Sequence, residues 1–186
     1  MQEWVQGWFD ARNIVYDISE NTQMPPDFYL EPDNKTNNLL EIKAFYRKNN
    51  PGFDIADFTM YSNELIAKPY VLDTDYLIFG YDMSKDGIVT VKDLWIKKVW
   101  EITRPMKKYP INLQVKKDVV HKMRPGKWYG SIKKGSYPMF TTKEDFLSAI
   151  EEAVYRNPAT HDSAGSWKDR FCAAYNHHYG CSIDFN

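Results

Sequence analysis

The sequence predicts an α+β (α/β) protein in which short strands and helices are interspersed along the chain. Three observations carry this prediction: a strand hairpin pattern over residues 25–45, a continuous apolar run at residues 76–81, and helix-capping signals after residue 140. The chain has 186 residues, of which 43% are hydrophobic, so it can bury one sizeable core. We therefore expect a single domain over residues 1–186.

The first third of the chain predicts a helix, a hairpin and a second helix. Residues 4–13 fit a helix that carries Trp4 and Trp8 on one side. Residues 28–30 and 39–45 have strand composition, and a polar turn lies between them. After the break at Pro51 and Gly52, residues 54–67 fit an amphipathic helix.

The middle of the chain predicts two further strands joined by a tight turn. The apolar run at 76–81 is typical of a strand buried on both faces. Asp86 and Gly87 then mark a turn that leads into a strand at 88–91. We expect a helix over residues 94–102, because Trp95, Val99 and Ile102 are apolar at helical spacing, and a strand at 111–115.

The last part of the chain predicts a loop followed by helices. Residues 124–138 are rich in Gly, Pro, Lys and Trp and indicate a long functional loop. Thr141 and Glu144 have the spacing of a capping box, and Ser166 and Asp169 form a looser version of it. Gly180 then suits a helix end, so we expect a C-terminal helical region over residues 141–180.

Charge is strongly segregated, although the formal net charge is only −1. Residues 1–82 hold 6 basic and 14 acidic residues, whereas residues 83–140 hold 14 basic and 4 acidic ones. A segment this basic is typical of a surface that follows nucleic-acid phosphates. We therefore predict a basic, DNA-contacting segment over about residues 85–138; on charge alone, a solvated lysine-rich surface is the equal alternative.

The N-terminal ten residues have neither the basic region nor the apolar stretch of a signal peptide. No apolar run approaches the roughly 18 residues that a membrane-spanning helix needs. The sequence therefore predicts a cytoplasmic protein with no membrane partner.

The segment with the most chemical content is Pro26-Asp27 followed, thirteen residues later, by Glu41-Ile42-Lys43. Side chains alternate along a strand, so Glu41 and Lys43 share one face while Leu40 and Ile42 point into the core. The hairpin would bring Asp27 beside Glu41. Two carboxylates with one ammonium nearby suit Mg²⁺, which takes one or two carboxylates together with waters and a substrate phosphate.

Each of these groups has a function in phosphodiester hydrolysis. We expect Asp27, Glu41 and the backbone carbonyl of Ile42 to hold Mg²⁺, which would polarise the phosphoryl oxygen and lower the pKa of bound water. Lys43 would orient or help to deprotonate the attacking water, or neutralise charge at phosphorus.

These residues resemble the active-site signature of the PD-(D/E)xK nuclease superfamily, which includes most type II restriction endonucleases. Residues 40–58 and 94–102 also look like small type II restriction enzymes, and the resemblance covers roughly residues 25–125. It implies a restriction-endonuclease-like fold with a central mixed β-sheet flanked by helices, and a homodimer that makes Mg²⁺-dependent double-strand breaks at a palindromic DNA site. Because family members often add an early glutamate to the metal site, the resemblance leaves three alternatives open there: Glu3, Glu20 or neither.

Eight residues are the predicted DNA contacts, since Arg and Lys pair with guanine or phosphate and Gln pairs with adenine. They are Lys97, Lys98, Arg104, Gln114, Lys116, Lys117, Arg124 and Lys127. A rival catalytic pair, Gln114 and Lys116, lies on one face of its own strand but has no Pro-Asp before it at suitable range. Two other functions stay open: a structure-selective repair or junction-resolving nuclease of the same superfamily, and a non-catalytic DNA-binding module.

Overall fold

The computed structural model describes residues 1–117, 119–131 and 134–185. Three residues of the predicted basic segment, Asp118, Ile132 and Lys133, lie outside the described residues. The chain divides into two compact units. The first unit comprises Met1–Phe53 and Asp73–Val99, and the second comprises Asp54–Leu72 and the chain from Trp100 onward.

The elements of the described residues alternate along the chain. They are, in order, α1 (Gln2–Asp10), β1 (Asp17–Ile18), β2 (Phe28–Tyr29), β3 (Leu39–Tyr46), β4 (Ala56–Asp57), α2 (Phe58–Ala67), β5 (Asp75–Met83), β6 (Val89–Lys97), β7 (Leu113–Lys116), β8 (Val119–Met123), α3 (Lys143–Arg156), α4 (His161–Ala164) and α5 (Trp167–Tyr179). Short 3-10 helices occupy Pro69–Asp73 and Trp100–Ile102.

The first unit contains a five-stranded mixed sheet with the order β1-β2-β3-β5-β6. Strands β3 and β5 are parallel, and the other neighbours are antiparallel. Helix α1 packs on one face, where Val5 and Phe9 join a buried cluster with Phe28, Ile42 and Phe79. The predicted mixed sheet with flanking helices is confirmed, and so is the hairpin, because β2 pairs antiparallel with β3.

The second unit contains a three-stranded antiparallel sheet with the order β4-β8-β7, together with α2 to α5. The indole of Trp167 on α5 is 1% exposed and donates to the carbonyl of Ser62 on α2 at 2.8 Å. The ring of Tyr61 on α2 lies 6.5 Å from that of Phe146 on α3. Large buried aromatic side chains therefore hold these helices together.

The helix predicted at residues 94–102 is wrong. Residues 94–97 continue β6, in which Leu94 pairs with Phe79 and Ile96 with Leu77, and only Trp100–Ile102 forms a short 3-10 turn. The apolar spacing fitted a helix, but residues 94–97 instead pair the backbone groups that face β5 with that strand. A β-bulge within β6 also breaks the strict alternation that marks a strand in a sequence.

The helix predicted at residues 54–67 begins later than expected. Residues Ala56–Asp57 form β4, which pairs with β8, and the helix starts at Phe58. Asp57 is its N-cap, because the side chain accepts a hydrogen bond from the N–H of Met60 at 3.1 Å. Strand β8 was not predicted at all.

Helix α3 begins one residue later than its predicted capping box implies. The N-cap is Thr142, whose hydroxyl accepts from the N–H of Asp145 at 3.1 Å, and Thr141 is exposed outside the helix. The predicted end of the last helix is confirmed, since Gly180 adopts a left-handed conformation with φ of 62°.

Replacing Thr142 with alanine is therefore expected to destabilise the protein by about 1 kcal/mol, because the N–H of Asp145 loses its acceptor. The matched control is Thr141→Ala, which should leave the free energy of unfolding almost unchanged. Urea unfolding followed by circular dichroism would measure both. A larger loss in Thr141→Ala would mean that the cap lies at the predicted position instead.

No helix among the described residues is long and apolar enough to cross a membrane.

Candidate active site

The end of the β2–β3 hairpin fixes the position of Asp27. This residue directly precedes β2, and its N–H donates to the carbonyl of Leu40 on β3 at 3.0 Å. Its carboxylate Oδ2 accepts from the N–H of Ile42 at 2.7 Å. Just before β2 begins, the Asp27 side chain therefore takes the place of a backbone carbonyl as the acceptor for the N–H of Ile42.

Glu41 and Lys43 lie on the same face of β3, as predicted. The Nζ of Lys43 is 2.7 Å from Oε1 of Glu41, and Glu41 is only 5% exposed. Leu40 and Ile42, which alternate with them, are buried in the apolar cluster beneath α1. The strand therefore holds the charged pair on one side by burying its apolar neighbours on the other.

The side chain of Gln2, on the first turn of α1, donates a hydrogen bond to Oδ1 of Asp27. With Ile42 on Oδ2, both carboxylate oxygens of Asp27 therefore have a fixed donor. The sequence carried no signal for this contact, because it joins residues 25 positions apart. Glu3 and Glu20, the glutamates expected at the site, are both exposed, and the described residues contain no cluster of three His, Cys, Asp or Glu groups able to hold a metal.

Burial raises the pKa of Glu41 to about 7, from an ordinary value of 4.5. The positive charge of Lys43 opposes this shift, and the nearby carboxylate of Asp27 reinforces it. Burial also raises the pKa of Asp27, against the hydrogen bond from the Ile42 N–H and the charge of Lys43. Two carboxyl groups that are costly to ionise without a further cation thus lie side by side.

The donor set fits a hard divalent cation. Oε2 of Glu41 is buried and has no hydrogen-bond partner among the described residues, although a carboxylate oxygen in that position needs one. The N–H of Ile42 faces Asp27, and since the N–H and C=O of a strand residue point to the same side, its carbonyl faces the same gap. Carboxylate and carbonyl oxygens are the ligands that Mg²⁺ prefers.

Comparison with known proteins identifies the family. The whole chain, residues 1–186, matches the model of the NgoBV restriction endonuclease family. The chain belongs to the NgoBV restriction endonuclease family. The prediction from the motif that the protein is a type II restriction endonuclease is therefore confirmed. Such enzymes hydrolyse DNA phosphodiester bonds and generally use divalent metal ions to do so.

Two curated relatives and one solved structure are similar to this NgoBV-family enzyme. The type II restriction enzyme NlaIV of Neisseria lactamica is 62% identical over 183 residues, which is 98% of this chain and 75% of that enzyme. The type II restriction enzyme NgoBV of Neisseria gonorrhoeae is 52% identical over 117 residues, or 63% of this chain and 66% of that enzyme. The solved NlaIV restriction endonuclease matches with a TM-score of 0.96 at 60% identity, covering 100% of this chain and 75% of that one.

The predicted DNA contacts of this NgoBV-family enzyme fall into two groups. Lys98, Arg104 and Arg124 have contacts within their own units: Lys98 Nζ is 2.7 Å from Asp75 Oδ1, Arg104 donates to the carbonyl of Tyr137 at 3.4 Å, and Arg124 is ion-paired with Asp54. The other five differ in exposure, and Lys127 among them lies with its Nζ 5.3 Å from the ring centroid of Tyr129. They are the half-buried Lys97 and Gln114 and the exposed Lys116, Lys117 and Lys127.

Proposed function

We propose that this restriction endonuclease cuts both strands of double-stranded DNA at a specific short sequence, with Asp27, Glu41 and Lys43 as its catalytic residues and Mg²⁺ as its cofactor. The observation that carries the proposal is the buried Glu41 carboxylate. One of its oxygens contacts Lys43 at 2.7 Å, and the other is buried with no partner in the described part of the chain. A buried carboxylate without a second partner is unfavourable unless a ligand completes it.

Asp27, Glu41 and the carbonyl of Ile42 are the proposed holders of Mg²⁺. When bound there, the ion would stabilise charge on the scissile phosphate and lower the pKa of a coordinated water. Gln2 and the N–H of Ile42 keep the Asp27 carboxylate in one orientation. The Asp27 carboxylate is thereby preorganised for metal binding before the cofactor and the substrate bind.

Lys43 is the proposed partner of the reacting phosphate. Its side chain is 19% exposed, so the ammonium is held by Glu41 yet remains reachable from solvent. A fixed positive charge at this position stabilises negative charge that develops at phosphorus, and its N–H groups can orient the attacking water.

The eight predicted basic and amide residues, from Lys97 to Lys127, are the proposed DNA contacts. Lys116, Lys117 and Lys127 are the strongest candidates for phosphate binding, because their side chains are exposed. We also propose that residues 1–186 act as a single nuclease domain and that the protein is cytoplasmic. Finally, we propose that two copies assemble into a homodimer. A two-fold dimer presents two equal active sites to the two strands of a palindromic site.

The proposal is tested by incubating the protein with plasmid DNA and Mg²⁺. We expect discrete fragments with uniform end sequences, and no fragments when EDTA removes the metal. Asp27→Asn should lower cleavage by at least about 10²-fold, because a neutral amide is a poor Mg²⁺ ligand. The matched control is Asp33→Asn on the exposed hairpin turn, which should cut like the unmodified protein.

Two results would contradict the proposal. Cleavage that selects branched DNA and ignores sequence would indicate a repair or junction-resolving nuclease. Tight DNA binding without cleavage by folded protein, at any Mg²⁺ concentration, would indicate a non-catalytic binding module.

A further inference from the structure

Strand β6 carries a row of apolar side chains that are exposed to solvent. Val89, Val91, Leu94 and Ile96 are 49%, 44%, 57% and 66% exposed, respectively. A row of four large apolar residues on a single strand is unusual for a free protein surface, where exposed apolar residues are normally scattered.

A β-bulge keeps these four residues on one face. Val89 and Val91 pair with Met83 and Tyr81, and Leu94 and Ile96 pair with Phe79 and Leu77. Residues paired across two strands share a face, so the extra residue, Lys92, shifts the alternation and aligns the two halves of the strand. Without the bulge, Leu94 and Ile96 would lie on the opposite face from Val89 and Val91.

The apolar row continues onto neighbouring elements of the same unit. Trp4 and Trp8 on α1 are 59% and 39% exposed, and Met83 at the end of β5 is 53% exposed. Trp4 packs edge-on against Phe79 with ring centroids 5.8 Å apart, so its outer side faces solvent beside β6. We call these seven residues the β6 patch: Trp4, Trp8, Met83, Val89, Val91, Leu94 and Ile96.

Strand β6 is also the edge of its sheet. It pairs with β5 on one side, and its other side pairs with no strand among the residues that the structure describes. An apolar edge strand presents free backbone donors and acceptors to any strand of matching pattern. The β6 patch therefore combines a hydrophobic face with a backbone able to pair.

We propose that the β6 patch is the surface through which two copies of this chain associate, with the β6 strands of the two copies pairing antiparallel about a two-fold axis. A register with the axis between Lys92 and Asp93 sets Val91 of each copy against Leu94 of the other. The same register sets Val89 against Ile96 and brings Lys92 of each copy near Asp93 of the other, a carboxylate that is also ion-paired with Arg47 within its own copy. The pattern of this single strand is thus complementary to itself, as a two-fold interface requires.

The size of the patch suits a second copy. The exposed area of its seven side chains is roughly 700 Å² per copy, against about 800 Å² on each side of a standard stable interface. Its two tryptophans, Trp4 and Trp8, belong to the side-chain type that most often dominates the energy of such interfaces. Ile42 and Ile96 share one face through Leu77, so Glu41 lies on the other face and the association leaves the acidic site open.

The inference deepens the proposed homodimer but does not depend on cleavage. It is tested first by the solution mass of residues 1–186, which is 21.9 kDa for one copy. Sedimentation velocity of the unmodified protein should give twice this mass, and the double variant Leu94→Glu, Ile96→Glu should sediment as a monomer with unchanged far-ultraviolet circular dichroism. The matched control is Ile18→Glu, which alters a 49% exposed residue on the opposite edge strand and should leave the dimer intact.

A second measurement tests the register and does not need a dissociated variant to fold. In the double variant Val91→Cys, Leu94→Cys, cross-strand Cβ atoms about 5 Å apart would permit a disulfide between copies under oxidising conditions. Each single variant lacks a facing cysteine and should not cross-link beyond the unmodified protein, which carries Cys172 and Cys181.

The outcomes separate this inference from the proposed function. An unmodified protein that is monomeric, or whose dimer survives Leu94→Glu, Ile96→Glu, would overturn the inference even if it cuts DNA. A dimer that dissociates in this variant would support the inference even if no DNA is cut. Cross-linking in the single variants equal to that in the double variant would overturn the proposed register.

Discussion

Replacing Lys43 with methionine is expected to lower the rate of DNA cleavage by about 10³-fold while the fold and Mg²⁺ binding persist. Methionine keeps the length and the apolar stem of the side chain but removes its positive charge. The charge lies 2.7 Å from Glu41 Oε1, and Lys43 is the one lysine of β3, so this strand offers no second ammonium to replace it. Single-turnover cleavage at saturating DNA would isolate the chemical step from DNA binding.

The matched control for this change is Lys35→Met. Lys35 lies in the same unit on the hairpin turn, where it is ion-paired with Asp17 and 53% exposed. Losing an exposed lysine should change cleavage little at saturating DNA, because a surface ion pair contributes little. A Lys43→Met protein that cuts within about tenfold of the unmodified rate would contradict the proposed role. Mg²⁺-induced stabilisation should remain in both variants, because neither lysine is a proposed ligand.

Replacing Glu41 with glutamine is expected to abolish cleavage and yet stabilise the metal-free protein. The folded protein raises the pKa of Glu41 to about 7 from 4.5, so ionising this group costs folding free energy. Below pH 4.5 the group is protonated in both states and the cost is absent. As the pH rises from 4.5 to 7, the unfolded state loses its proton first, and stability falls until the cost reaches roughly 3 kcal/mol.

Glutamine is neutral at every pH and avoids this cost. At pH 8 without metal, Glu41→Gln should therefore unfold at higher denaturant concentration than the unmodified protein, by up to roughly 3 kcal/mol, and the difference should shrink to under about 1 kcal/mol at pH 5. Adding Mg²⁺ at pH 8 should stabilise the unmodified protein much more than Glu41→Gln, because only a charged carboxylate is a strong ligand. Equal stability of the two metal-free proteins at pH 8 would contradict the proposal that Glu41 is a buried metal ligand whose ionisation costs folding free energy.

Local chemistry explains why the sequence predicted the core of the candidate site. The alternation in Leu40–Lys43 depends only on strand geometry, and the proline-flanked Asp27 with its short polar turn allows one compact hairpin. The contact of Gln2 with Asp27 was not predictable, since α1 reaches this site only through tertiary packing. The prediction of a helix at 94–102 failed because pairing with β5 outweighs local spacing, and because Lys92 as a bulge hides the strand pattern.

For the basic segment, charge composition alone also limited what the sequence could predict. Charge composition singled out residues 85–138, but several of its cations have partners within the fold, such as Lys98 with Asp75. Composition counts charges and does not distinguish a lysine that anchors a strand end from one that meets a phosphate. Lys116, Lys117 and Lys127 are exposed, which is why we propose them as the phosphate contacts.

Helix α1 has a consequence for how variants of this enzyme should be designed. Its first turn presents Gln2 to the Asp27 carboxylate, and one residue from that turn, Trp4, lies in the β6 patch. Helix α1 thus contacts both the acidic site and the β6 patch. A change in the orientation of this helix is therefore expected to disturb both. Substitutions on α1 are therefore expected to change dimerisation and DNA cleavage together, whereas substitutions of Leu94 and Ile96 test dimerisation separately.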